Sequence, residues 1–349
     1  MALLARTKTG RPTAETLWIG IGIVVAYGVV PLAGSDYLLD AVLTPFLVLA
    51  LAAVGLNVLT GYAGQVSLGS AAFLAVGAYA AYNLHLRVPG LPLLVDVVLA
   101  GGIAAAIGIV FGLPSLRLRG FYLAVSTLAA QFFVQWALTK FGWFSNDNPS
   151  GVIDAPVLRI GSVSFTTAAE RYVFSLTIVV VLTLLTLRLL RSQSGRNFIA
   201  VRDHEIAAKV IGVPLLRTKL LAFAMSSFLI GVAGVLWAFA YLRTVEPAGF
   251  NLDRSFQIFF IIIIIGGLAS LRGSFIGAAF IVVFPLLLSR IGAALLGRVF
   301  DSGVLEMSQH IVIGALIIVF LIAEPRGLIA PWDRAWSAVR PARRPAIPT

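Results

Sequence analysis

The chain contains no cysteine, which removes disulfides, thiolate nucleophiles and thiolate metal sites together. Its three histidines, His85, His204 and His310, stand too far apart in sequence to suggest a ligand cluster, and no metal is expected. No Gly-x-x-x-x-Gly-Lys-Ser/Thr phosphate loop occurs, so the chain does not hydrolyse ATP by that route. Charge is scarce as well, at 12% of 349 residues. Asp36, Asp40, Asp96, Glu170, Asp253, Asp301 and Glu306 fall at the edges of apolar runs or between them. An ion-coupled carrier generally keeps an ionisable group near the membrane midplane, so that class is the weaker alternative. An enzyme buried in the bilayer would need a His, Asp, Glu or Ser constellation within the apolar runs, and none is evident.

What the chain has in abundance is apolar sequence: 59% hydrophobic residues and a mean hydropathy of +0.98. That composition belongs in a bilayer. Crossing roughly 30 Å of hydrocarbon takes about 20 helical residues. Ten runs are long enough: 15–33, 38–59, 65–86, 92–112, 119–139, 169–190, 219–242, 255–270, 274–294 and 304–323. The expectation is therefore an all-α polytopic membrane protein of about ten transmembrane helices. The eighth run is dense only from Phe256 to Ile265 and can be short or re-entrant. Arg6, Lys8 and Arg11 precede the first run, which is too long for a signal peptide and shows no small-residue cleavage site.

If the N-terminus is cytoplasmic and the spans alternate, 18 of the 26 Lys and Arg residues lie inside. This matches the enrichment of cytoplasmic loops in basic residues, and it puts both termini in the cytoplasm. The net charge of +11 then reflects retained loops and surrounding membrane lipid, with no nucleic acid implied. The expected layout is a tail at 1–14, a transmembrane domain at 15–323 and a second tail at 324–349. An extracytoplasmic loop at 140–170 is rich in turn residues and long for a simple connector.

The one long charged passage enclosed by apolar sequence is 192–219. Within it, Asp203 can cap a helix in which Glu205 and Lys209 form an i,i+4 pair, with Gly212 and Pro214 as a stop. Ile206, Val210 and Val213 would share one side. A helix this short is marginal alone and must dock on something. Two readings stand open: a solvated connector, or a coupling helix seated in a soluble partner.

Polar residues inside apolar runs form the second group. The stretch from Asn57 to Ala81 holds Gly61, Gly64, Gly69 and Gly77 together with Gln65 and Ser67. Gly108 and Gly112, like Gly273 and Gly277, repeat a four-residue spacing that lets membrane helices approach closely. Thr127, Gln131 and Gln135 make a polar stripe at i, i+4, i+8. Asn57, Gln65, Ser67, Thr127 and Gln131 either bond neighbouring helices or line a translocation path.

Several spaced motifs resemble a known family. Glu205-x-Ala207-Ala208-x-x-x-Gly212 looks like the cytoplasmic loop by which permease subunits of ATP-binding-cassette importers grip their ATPases. It differs from the general motif in that Ile206 separates the acid from the alanines. The wider pattern of Gly195-Arg196, Arg202, the small pair, Gly212 and Lys219-Leu-Leu-Ala-Phe is similar to the branched-chain amino acid branch. So are Gly-Tyr-Ala-Gly-Gln-Val-Ser-Leu-Gly at 61–69, the Arg119-Gly-Phe-Tyr122 start, the turn at 266–273 and the Glu324-Pro-Arg-Gly-Leu328 ending. Within 145–151 only the last glycine of a common family element is kept.

The resemblance covers residues 45–330. It implies a multi-pass permease subunit in a bacterial inner membrane, not an enzyme, moving branched-chain or other neutral amino acids. Relatives that carry urea or short-chain amides are the alternative. It implies a second homologous permease chain, two cytoplasmic ATPases that bind the ATP, and an extracytoplasmic substrate-binding protein. This chain would need no cofactor of its own. Gly195, Arg196, Arg202, Glu205, Ala207, Ala208 and Gly212 would form the ATPase-coupling loop.

Overall fold

The computed structural model describes residues 24–296 apart from 89, 117–119, 157, 161–162 and 262–266, with a few positions between 307 and 318. The tails at 1–14 and 324–349, the run at 304–323 for the most part, and the first half of the run at 15–33 lie outside the described residues. So do Gly266 and the dense centre of the eighth run.

Ten helices organise the described chain. They are α1 (Leu38–Tyr62), α2 (Ser70–Arg87), α3 (Leu93–Gly112), α4 (Phe121–Lys140), α5 (Ala168–Arg191), α6 (Gln193–Asp203), α7 (Glu205–Val210), α8 (Leu215–Leu242), α9 (Leu252–Phe260) and α10 (Leu271–Leu296). A helical turn over 25–33 precedes them. Six are long and apolar enough to cross a membrane: α1, α3, α4, α5, α8 and the Leu271–Arg290 part of α10. Two expected spans take another form. The run at 65–86 becomes a helix only from Ser70, because 63–69 is irregular and turns at Gly64, whose φ is +69°. The run at 255–270 contains the nine-residue α9 and, beyond the residues not described, a turn through Gly267.

α1 and α8 form the centre and are mostly buried, whereas the other four spans are less than half buried. α8 packs on α1, α2 and α3. In lipid there is little hydrophobic gain from helix association, so close contact between small residues does much of the work. A Cβ added at Gly77 would lie 2.0 Å from the Gly231 carbonyl oxygen, and one at Gly234 would lie 2.0 Å from that of Leu74. Gly108 and Gly112 make room instead for the side chains of Ser227 and Phe223 of α8.

The loop between α4 and α5 carries three two-residue strands, β1 (Ile153–Asp154), β2 (Arg159–Ile160) and β3 (Val163–Ser164). β2 and β3 pair as a hairpin. β1 pairs antiparallel with β4 (Thr244–Val245), which follows α8, in the register Ile153↔Val245. α5 begins at a capping box, with Thr167 and Glu170 bonded to each other's backbone N–H groups. Arg171 in its first turn meets Asp40 of α1.

Replacing Gly77 by Ala is expected to destabilise the protein by about 1–3 kcal/mol through overpacking against α8. Gly102→Ala, where nothing lies within 4 Å, is expected to be neutral or mildly stabilising. Thermal melting of the two purified variants beside the unmodified chain checks this, and equal melting of all three would count against it.

Candidate functional site

The charged passage folds as two short helices pressed against the foot of the bundle. Ser192 accepts a hydrogen bond from the Ser194 N–H at 3.2 Å and starts α6. Gly195 sits so close to Leu190 that a Cβ would meet its carbonyl oxygen at 2.0 Å. Arg196 folds back onto Gln193 and the Arg191 carbonyl. Phe198 and Val201 bury one face of α6 and carry it through to Asp203. Asp203 therefore ends α6 instead of capping the next helix, and its carboxylate accepts from Arg202 Nε at 2.8 Å.

His204, extended at φ −150°, connects to α7 and provides no side-chain cap. Glu205 meets Lys219 in the second turn of α8 at 2.8 Å, a tertiary partner where local spacing had suggested Lys209. Ala208 is buried. Gly212 at φ +87° turns the chain out of α7, and the Val213 N–H closes on the Ala208 carbonyl at 2.9 Å. Ala207, Ile206, Val210 and Ile211 all face outward, while Val213 is partly buried beyond the turn.

Arg202 reaches inward. Its Nη1 donates to the Gly61 carbonyl at 2.9 Å, and its side chain lies over Gly64. This joins α6 to the end of α1 and the irregular stretch after it. The same end of α1 is tied to the turn before α10. Asn57 Nδ2 donates to the Ser270 carbonyl at 2.9 Å and to Ser274 Oγ at 3.1 Å, while Oδ1 accepts from the Ala269 N–H at 3.0 Å.

α2 begins opposite the middle of α4, inside the bundle, and its first N–H groups are met by side chains. Thr127 Oγ1 accepts from Leu68 at 2.9 Å, Ser67 Oγ from Gly69 at 3.4 Å, Ser255 Oγ from Ala71 at 2.8 Å and Gln131 Oε1 from Ala72 at 2.5 Å. Gln131 also donates to the Phe250 carbonyl at 2.5 Å and accepts from Ser255 at 3.2 Å. Gln65 is buried, and neither of its amide atoms has a partner among the described residues.

Sequence reasoning did not single out Ser255 or Ser274, whose bonds to Gln131 and Asn57 span 124 and 217 residues. It also placed Asp96 only at the edge of a run. In the structure Asp96 is fully buried in the first turn of α3 and held by His85 at 3.3 Å.

Among the described residues, two cavities lie towards the end of the bundle away from α6 and α7. One, of about 590 Å³, is walled by α2, α3 and α4 with an almost wholly apolar surface that includes Val76, Ile107, Phe111 and Phe133. The other, of about 220 Å³, lies between the last turns of α8, β4 and the start of α9. None of Asn57, Gln65, Ser67, Thr127 and Gln131 lines either cavity. Among the described residues no cluster of three His, Asp or Glu side chains could hold a metal.

Residues 38–321 match the family model described as "Branched-chain amino acid transport system / permease component". Similar proteins include the "High-affinity branched-chain amino acid transport system permease protein LivM" of Escherichia coli. It is 31% identical over 299 residues, 79% of this chain, and the chain spans 66% of that relative's length. The "Probable branched-chain amino acid transport permease protein LivM" of Methanocaldococcus jannaschii is 25% identical over 248 residues, 68% of each chain. The "Autoinducer 2 import system permease protein LsrC" of Enterobacter sp. is 34% identical over 94 residues, 26% of this chain and 27% of its own. No solved structure matches. With its bundle of membrane-length helices and a match over most of its length, the chain is a multi-pass membrane protein that belongs to the permease family of branched-chain amino acid transport systems.

Proposed function

We propose that this chain is the permease subunit of an ATP-driven importer in the inner membrane, forming the route for branched-chain or other apolar neutral amino acids. The observation that carries the reading is the outward face of α7. Ile206 and Val210 on this six-residue helix, and Ile211 just past its end, are 75%, 82% and 74% exposed. Such a helix is not stable alone. Here its inner side is anchored by Ala208 and by the pairing of Glu205 with Lys219, which leaves the apolar side presented outward. An apolar ridge on a short rigid support suits insertion into a cleft on a partner ATPase.

In this reading the 192–219 loop and both termini face the cytoplasm, and the 140–170 loop faces outward to receive a substrate-binding protein. Two ATPases bind the ATP, and a second homologous permease completes the pair. Gly195, Arg196, Arg202, Glu205, Ala207, Ala208 and Gly212 form the coupling loop, each for a different reason. Gly195 and Gly212 allow the two turns, Arg196 braces the first of them, Ala207 and Ala208 keep α7 slim, and Glu205 fixes it to α8. Arg202 carries displacement to Gly61 and the segment at 63–69. Ser67, Thr127 and Gln131 hold that segment and the start of α2, Asn57 ties the end of α1 to the turn before α10, and Gln65 supplies the polar group that the route uses when the segment shifts. Such a shift would be a rigid-body change of the kind that packed interfaces allow.

Ile206→Asp and Val210→Asp each place a charge on the exposed ridge without touching an internal contact. In vesicles holding the complete importer, ATP-driven uptake is expected to fall about tenfold or more, as for an interface anchor. Melting of the purified chain should stay unchanged. Undiminished uptake in both variants would overturn the docking role.

Arg202→Met should leave the ATPases bound and hydrolysing while uptake drops, and Arg202→Lys should restore part of it. Loss of ATPase binding in the Met variant would instead assign Arg202 to the docking surface.

A further inference from the structure

We propose that the cavity of about 220 Å³ between the end of α8, β4 and the start of α9 is a seat for a zwitterionic α-amino acid with an apolar side chain. The proposal rests on the permease reading above and names the chemistry by which the route would recognise its solute. The wall combines Trp237, Leu242, Val245 and Phe250 with two charges of opposite sign, Glu246 and Arg254.

Those two charges come from different elements: Glu246 follows β4, and Arg254 lies in the first turn of α9. They are not paired with each other, and neither forms an ion pair with another described residue. The guanidinium of Arg254 is held from behind. It lies over the Trp237 ring at 4.4 Å, and its Nη1 donates to Gln257 Oε1 at 2.6 Å. Nε and Nη2 make no hydrogen bond to a described residue, so a flat donor edge is free to take a carboxylate. Glu246 is exposed at the rim, where its carboxylate can take an ammonium group. The rings and aliphatic groups between them offer the surface for a branched side chain.

Size and position agree with this use. The volume is below the roughly 300–1,000 Å³ of pockets for drug-sized ligands, which limits the occupant to one small solute. The larger cavity between α2, α3 and α4 offers no carboxylate, so an ammonium group would lie unpaired there. The small cavity is also wired to the polar crossing. Gln131 bonds the carbonyl of its wall residue Phe250, and Ser255, next to Arg254, bonds the first turn of α2. The β1–β4 ladder fixes its outer side to the long loop between α4 and α5.

The test is equilibrium binding of radiolabelled leucine to the chain purified with its companion subunits in lipid nanodiscs, with no substrate-binding protein added. Unlabelled valine and isoleucine should compete. Leucinamide, which lacks the carboxylate, and 4-methylpentanoate, which lacks the ammonium group, should each compete about tenfold less well, as expected for loss of one charge-assisted bond. Arg254→Gln should abolish the discrimination against leucinamide only, and Glu246→Gln the discrimination against 4-methylpentanoate only. A purely structural role for either residue would weaken all competitors alike.

The competition series on the unmodified protein needs no variant to fold. Absence of saturable leucine binding, or equal competition by all the analogues, overturns the proposal. Selectivity unchanged in both folded variants overturns it as well. Leucine binding with this selectivity but without ATP-driven uptake would instead remove the importer reading and leave the seat standing.

Discussion

A backbone N–H inside hydrocarbon has no water to turn to, so a helix that starts within a membrane bundle must find its acceptors in the protein. α2 is such a helix. Its opening donors, and those of the two residues before it, are met by Ser67, Thr127, Gln131 and Ser255. The two other helices that supply them, α4 and α9, are thereby fastened to the start of α2, and α4 also to the irregular passage at 63–69. That passage can exist at this depth only because it is enclosed by protein. Gln131 is the common member, since it also holds the Phe250 carbonyl just before α9. The arrangement of α2, α4 and α9 follows from satisfying a handful of donors.

The second constraint is distance. α8 lies against α2 with backbone nearly touching backbone at Gly77 and Gly234, and against α3 with the side chains of Ser227 and Phe223 set into the space left by Gly108 and Gly112. Close approach brings many weak contacts into range at once, which in lipid substitutes for hydrophobic burial. Charge is kept to the ends of the helices and given partners there: Asp40 with Arg171, Asp96 with His85, Glu205 with Lys219. Each pair also joins separate parts of the chain. Glu246 and Arg254 share the wall of one cavity without pairing with each other.

Much of this was legible in the residues. Length and apolarity located α1, α3, α4, α5, α8 and α10 to within a few positions, because a helix that crosses a bilayer has little freedom in either property. The stripe of Thr127, Gln131 and Gln135 left a helix contact and a path lining both open, and Thr127 and Gln131 bond the residues that start α2; the glycines at 61–77 announced close packing. What stayed hidden was tertiary. Composition runs unbroken through 65–86, so nothing local says that the helix waits until Ser70. Asp203 obeys the local rule for a cap, yet buried Phe198 and Val201 extend α6 through it. Lys209 stands at the right spacing for Glu205, yet Lys219 arrives from the next helix. The small cavity depends on a ladder between Ile153 and Val245, and no periodicity encodes a pairing over that separation.

α8 is α-helical over the 22 residues Leu215–Leu236, roughly 33 Å at 1.5 Å per residue, and continues as a π-helix through Trp237–Leu242. Lys219 near one end holds α7, and Trp237 and Leu242 at the other help wall the small cavity. A single rod thus touches both places where the molecule would meet something else. Thermodynamic reciprocity then applies: if engagement at α7 alters the affinity of the cavity by some factor, filling the cavity must alter engagement at α7 by the same factor. An occupied seat would in that case be felt by the motor before any solute had crossed.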